Sequence, residues 1–149
     1  MTFCSLVDAV FDRYVALDYS AEGVAEFRKY NRPEEMIKRL RAGHFALLAT
    51  AKRKIVGVIE IRNNRHVSLL FVAPEFHGQK IATQLWHRAF RKSRAADATV
   101  REFTVNSSPY AVPIYEKFGF RQTSPEQTHN GLRFVPMNLQ LRPFLSRNG

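Results

Sequence analysis

Residues 67–86, VSLLFVAPEFHGQKIATQLW, change period half-way along. The first six form a short apolar run rich in branched side chains, the pattern of a strand, and Ala73-Pro74 ends it. Gly78, Lys80, Ala82 and Thr83 follow, interleaved with an apolar stripe of Ile81, Leu85 and Ala89 at helical spacing. A strand that turns into a helix leaves the first backbone N–H groups of that helix unpaired, which makes a ready anion site. The helix dipole and the Lys80 ammonium would both favour a diphosphate there. Alone the signal is weak, because one glycine does not make a phosphate loop and basic helix starts occur by chance.

Upstream, Phe3, Leu6, Val7, Val10, Phe11 and Tyr14 recur at three- and four-residue spacing and predict an amphipathic helix over residues 3–17. Ser20 reads as the N-cap of a second helix, with Glu22 in its first turn. Arg32-Pro33-Glu34-Glu35 opens a third, which Gly43 ends. Residues 44–50 (HFALLAT), 55–62 (IVGVIEIR) and 67–72 then read as three strands of an antiparallel meander, separated by Lys52-Arg53-Lys54 and Asn63-Asn64.

Downstream, a helix of about fifteen residues runs to Ala96, and residues 100–106 (VREFTVN) form the next strand. Ser108-Pro109 supplies a cap and a first-turn proline for a helix that stops at Gly119, with Pro113 giving a slight bend. A strand after Phe120, a polar loop over residues 124–130 and a last strand over 132–141 complete the chain. Pro136 in that last run predicts an edge or a bulge. The order ααα-βββ-α-β-α-ββ is that of a mixed α/β (α+β) layer fold.

The chain of 149 residues is the size of one domain. We expect a helical acceptor-side segment at 1–43, a cofactor-binding sheet with helices at 44–141 and a tail at 142–149. An apolar fraction of 45% and a mean hydropathy of −0.29 are those of a globular, not a disordered, chain. One cysteine, Cys4, excludes an intrachain disulfide, so a reducing compartment, the cytoplasm, is expected. No apolar run has the length of a membrane span, no leader pattern opens the chain, and no metal-ligand spacing is present. The net charge is +10. Five Lys or Arg (Lys80, Arg88, Arg91, Lys92, Arg94) and no carboxylate fall between Phe76 and Ala96, so positive charge gathers on the helix that the loop opens. Nucleic acid, an acidic surface or a polyanionic cofactor would each answer to that charge.

A second segment weights these options. Residues 105–120, VNSSPYAVPIYEKFGF, resemble a hallmark segment of the GNAT superfamily of N-acetyltransferases, in which a Tyr near a helix end precedes a Gly-Phe pair, here Tyr115, Gly119 and Phe120. VAPEFHGQKIATQLW is similar to the same family's pyrophosphate motif, and the two lie in the family's order and separation. The flanking stretches VGVIEIR, LLFVAP and NGLRFVPMNL resemble one bacterial branch, and the likeness spans about residues 44–141. It implies a mostly antiparallel central sheet flanked by helices, with the family's first strand short or missing here. His77 stands where Gln or Arg is usual, and Lys80 replaces the central Gly. A side chain at Lys80 either distorts the loop, since it restricts φ, or offers the diphosphate an ammonium; the intact remainder of the loop favours the second.

The resemblance implies acetyl-CoA binding. The backbone of Leu70 and Val72 would pair with the pantetheine arm like an added strand. Amides of His77, Gly78, Gln79, Lys80, Ile81, Ala82 and Thr83 would hold the pyrophosphate, and Ser108 would lie beside the cofactor chain. Tyr115 would be the general acid for the departing thiolate in a direct attack by an amine. For the base, Glu60 and His66 both stand on strands that could face the acceptor; His needs no tuning at neutral pH and Glu needs burial. Asn106 would orient the substrate. The acceptor is unidentified, a primary amine of a small molecule or peptide, and a homodimer is open. The competing readings are a GNAT-like protein that binds CoA without catalysis and a basic nucleic-acid-binding module, although no recognised nucleic-acid motif is present.

Overall fold

A computed structural model describes residues 3–78 and 80–141. The N-terminal layer holds α1 (Phe3–Val10), α2 (Ala21–Tyr30) and α3 (Pro33–Arg41). The meander follows as β1 (His44–Ala51), β2 (Lys54–Arg62) and β3 (His66–Val72). Then come α4 (Ile81–Ala96), β4 (Glu102–Ser107), α5 (Val112–Phe118), β5 (Arg121–Gln122), β6 (Gln127–His129) and β7 (Leu132–Gln140). The sheet order is β1-β2-β3-β4-β7-β5, with β6 also on β7. Every pairing is antiparallel except β3 with β4. This is the mixed, mostly antiparallel sheet flanked by helices that the sequence implied.

Each face of the sheet carries its own core. Leu6, Val7 and Val10 of α1 pack on Val56, Val58 and Leu69. On the other face Leu85, Trp86 and Ala89 of α4 join Tyr115 and Phe120 over Ile59, Ile61, Val67, Phe103 and Met137. Strand β2 is thus covered on both sides, which explains why VGVIEI reads as a continuous apolar run rather than an alternation. No helix among the described residues is long and apolar enough to cross a membrane.

The local chemistry matches the sequence at most element ends. The two-residue turn Lys52-Arg53 has φ of 50° and 67°, the paired positive values that suit the twist of a tight hairpin. Gly119 caps α5 at φ 103°. Ser108 accepts from the Ala111 N–H at 3.2 Å and opens a 3₁₀ turn, Pro109–Ala111, and Pro113 then falls in the first turn of α5, where its absent N–H is no loss.

Three expectations need correction. The predicted helix over 3–17 gives way after Val10 to a π-helical turn, Phe11–Val15, and a 3₁₀ turn, Ala16–Asp18; the widened turn buries both Phe11 and Val15. The polar loop at 124–130 contains β6, because Asn130 and Gly131 (φ 52° and 76°) close a tight hairpin onto β7. Pro136 is not at an edge. Its carbonyl accepts from Thr123 N–H at 2.9 Å, so its ring nitrogen faces that same side, at the gap where β7 changes partner from β5 to β6, and no ladder bond is lost.

Helix α2 is seated on that hairpin. Ser20 Oγ accepts from Gly23 N–H at 3.1 Å, and a Cβ at Gly23 would overlap the Gly131 carbonyl oxygen. Gly23→Ala would ordinarily help a helix by about 1 kcal/mol. Here the backbone contact reverses the sign, and overpacking should lower stability by about 2 kcal/mol. Urea denaturation checks it; an Ala variant as stable as the parent would contradict this seating.

Candidate functional site

The central opening of the sheet begins at Ser68. Strand β3 pairs Leu69 with Glu60 and Val67 with Ile61, so Ser68 is the extra residue of a bulge. A bulge bends its strand, and the parallel contact of β3 with β4 ends after His66–Thr104 and Val67–Val105. Beyond it the two strands diverge. Ala73 N–H donates to Val56 O at 2.7 Å, and alternate residues of an antiparallel strand face opposite edges. The backbone groups of Leu70 and Val72 therefore point away from β2, toward the side β4 has left. A cleft of about 800 Å³ fills this gap.

One wall of the cleft is the loop between β3 and α4. Gly78 has φ 81°, and Lys80 has φ 62° and ψ 21°, the left-handed geometry in which a glycine would be at ease. Lys80 is also the N-cap residue of α4, whose first turn carries no acidic side chain. His77 donates from Nε2 to the Val72 carbonyl at 2.8 Å, so one acceptor position of Val72 is already taken and its N–H is left for a ligand. His77, Gly78, Lys80, Ile81, Ala82 and Thr83 all line the cleft; Gln79 lies outside the described residues. The opposite wall has Asn106, Ser108 and Tyr110. Tyr14 bridges the two walls, with its ring 5.2 Å from His77 and 5.1 Å from Tyr110.

Tyr115 reaches the cleft from α5 and is buried between Phe118 and Phe120. Burial pushes its phenol well above the usual tyrosine range, so it remains protonated at neutral pH. His66 also lines the cleft, with Nδ1 2.7 Å from Thr104 Oγ1. Burial, then the charges of Arg62 and His44, lower its pKa from 6.5 to about 4, so it is neutral at pH 7.

Glu60 lies elsewhere. It shares the β2 face of Val56 and Val58, is fully buried, and does not line the cleft. Its Oε2 accepts from Arg39 Nε at 2.8 Å and its Oε1 from Arg39 Nη2 at 3.1 Å, while His44 Nδ1 is 2.8 Å from Oε2. The Arg39 guanidinium in turn lies 3.8 Å from the Tyr30 ring centroid. The geometry thus brings Tyr115, His66, Asn106, Ser108, Leu70, Val72 and the loop together and leaves Glu60 in a separate ion pair. Sequence reading missed Glu26 and Tyr110, which line the cleft from segments remote in sequence.

The His66 environment has a stability consequence. Below pH 6.5 the unfolded chain protonates this histidine while the folded one does not until about pH 4. The unfolded state binds more protons in that window, so stability falls as pH falls from 6.5 to 4, by roughly 3 kcal/mol at most. Urea midpoints measured from pH 7 down to pH 5 should fall less steeply for His66→Gln than for the parent. Parallel curves would show that the ring is not held neutral.

Comparison with known proteins follows the same lines. The family model described as acetyltransferase (GNAT) domain matches residues 15–141. A UPF0039 protein of Schizosaccharomyces pombe is 26% identical over 106 residues, covering 68% of this chain and 70% of that one. A GCN5-related N-acetyltransferase from Rhodopseudomonas palustris superposes with a TM-score of 0.78 at 22% identity, covering 93% of this chain and 87% of that one. The PaiA N-acetyltransferase of Thermoplasma acidophilum, solved with coenzyme A, gives 0.75 at 19% identity, covering 92% and 89%. The solved structures share the fold, and since the domain model spans most of the sequence, the chain belongs to the GNAT acetyltransferase family.

Proposed function

We propose that this protein transfers an acetyl group from acetyl-CoA to a primary amine, and that the cleft between β3 and β4 is where it does so. The observation that carries the reading is the open edge of β3, beside a left-handed loop at a basic helix start and a buried phenol. The fit to acetyl-CoA rests on these features: Leu70 and Val72 offer strand-like donors and acceptors to the amides of a pantetheine arm. The unpaired amides at the start of α4, with Lys80, suit a diphosphate. Acetyl-CoA supplies a thioester whose carbonyl carbon an amine can attack.

The chain's own groups then have distinct tasks. An N–H on the free β3 edge polarises the thioester carbonyl. His66, neutral and braced by Thr104, accepts a hydrogen bond from the incoming amine and orients its lone pair. With so low a pKa it passes a proton onward to water rather than storing it. Tyr115 donates its phenolic hydrogen to the sulfur as the thiolate leaves and regains one from the water that took the amine's proton, so that one proton passes in net from nitrogen to sulfur and no phenolate remains in its buried site. Asn106, on the cleft wall, positions the acceptor. The reaction is tested by thiol release from acetyl-CoA with small polyamines, amino acids and peptide N-termini. Amine-dependent release with an acetylated product supports it. Stabilisation by CoA without release for any acceptor would favour a binding protein of the same fold, and affinity for nucleic acid alone, falling steeply with salt, a basic module.

Lys80 is the sharpest local test. Lys80→Gly removes a side chain from a left-handed backbone, which should leave stability unchanged or raise it by about 0.5 kcal/mol after the entropy of Gly is counted. The same change removes the ammonium and should weaken CoA binding by about 3- to 10-fold, the size of one partly screened charge contact. Tighter CoA binding in the glycine variant would mean that Lys80 distorts the loop.

A further inference from the structure

The cleft continues past the acyl-transfer groups to a wall made by α2 and the turns before it, which the chemistry above does not use. Glu26 stands on this wall, half-buried, one helical turn before Tyr30. It is the only carboxylate among the described residues that line the cleft. Among the described residues no Lys, Arg or His pairs with it. A half-buried carboxylate that no cation of the fold pairs with keeps its charge available to a ligand that enters the cleft.

Its surroundings say which kind. Phe27, the next residue, stacks on Phe11 at 3.9 Å, and Tyr19 lies 5.4 Å from Phe11. All three line the cleft with Glu26. The carboxylate attracts an ammonium, and the aromatic side chains beside it accommodate the methylenes attached to it. The region around His66 has the opposite character, because Arg62 lines the cleft there and disfavours positive charge beside it. An amine is therefore kept neutral and nucleophilic near His66, whereas a cation is welcome at α2.

We infer that Glu26 selects acceptors that carry a second, cationic amine: diamines or polyamine-like chains, bound by Glu26 at the amine that is not acetylated. The inference rests on the acetyl-transfer reading. Putrescine and butylamine share a carbon chain and differ in the second ammonium, so they isolate the effect. Thiol release should give putrescine at least a tenfold advantage in kcat/KM. Glu26→Gln should bring its value down to that of butylamine, chiefly through KM, while CoA still stabilises the variant thermally. Equal efficiency of the two amines in the parent, or an advantage that survives Glu26→Gln, would overturn the proposal. So would a preference for amino acids that depends on Arg62, which would assign the cleft to a carboxylate-bearing acceptor. Calorimetric titration of putrescine and butylamine into the CoA-loaded protein gives a second reading. Glu26-dependent binding of putrescine without turnover would retain the amine site and reject the acetyl-transfer reading. Absence of that binding would reject the site.

Discussion

Tyr115→Phe is expected to lower kcat about 100-fold while leaving the KM for acetyl-CoA nearly unchanged. The size is the low end for removal of a positioned proton donor, and it corresponds to about 2.7 kcal/mol of transition-state stabilisation. The change should be clean because the ring is what the fold uses: Phe118 and Phe120 pack edge-on to it, at 6.1 and 5.5 Å between centroids. Its hydroxyl makes no hydrogen bond among the described residues, so Phe occupies the same space without orphaning a partner. Thermal stability should hold or rise slightly. The raised phenol pKa has its own consequence, because Tyr115 stays protonated through the ordinary assay range and does not produce an alkaline limb in the rate profile. Undiminished turnover of the Phe variant would remove Tyr115 from the mechanism.

Glu60→Ala is expected to cost about 3–5 kcal/mol of stability, the range for stranding one member of a buried ion pair. Arg39 would keep its guanidinium largely buried against Tyr30 with no carboxylate to face, and His44 would lose the same partner. For a domain of this length that loss lowers Tm by roughly 10 °C. The two-sided control is the paired replacement Glu60→Met with Arg39→Met, which removes both charges and should recover most of the loss. Glu60 entered as a candidate base, and the outcomes separate the two roles. A folded Glu60→Gln protein of parental stability whose kcat has collapsed would restore a catalytic part for this residue through His44. Lost stability with kcat little changed in the molecules that fold is the result the geometry predicts.

The contrast between these residues shows what the sequence could and could not disclose. Ser20, Gly119, the Lys52-Arg53 turn and the strand-loop-helix at residues 67–86 were legible because each depends on neighbours a few positions away. Asn130-Gly131 carried an equally local signal for the β6 hairpin, and the polarity of residues 124–130 masked it. Glu60 was not legible. Strand β2 is buried on both faces, so alternation does not say which side a carboxylate enters, and its partner Arg39 is 21 residues away. The bulge at Ser68, which opens the cleft, likewise appears only when β2 and β3 are aligned. Nothing local marks Glu26, because its approach to the cleft depends on how α2 packs against strands remote in sequence.

Amide-resolved NMR titration with CoA separates binding in the gap between β3 and β4 from attraction of a polyanion to the basic surface of α4. CoA in the gap should shift the Leu70, Val72, Gly78, Ile81, Ala82, Thr83 and Ser108 amides together, with saturation at one concentration, and move the outer face of α4 (His87, Arg88, Arg91) little. Shifts confined to that outer basic face, with Leu70 and Val72 unmoved, would contradict binding in the gap and leave only attraction of a polyanion to a charged surface.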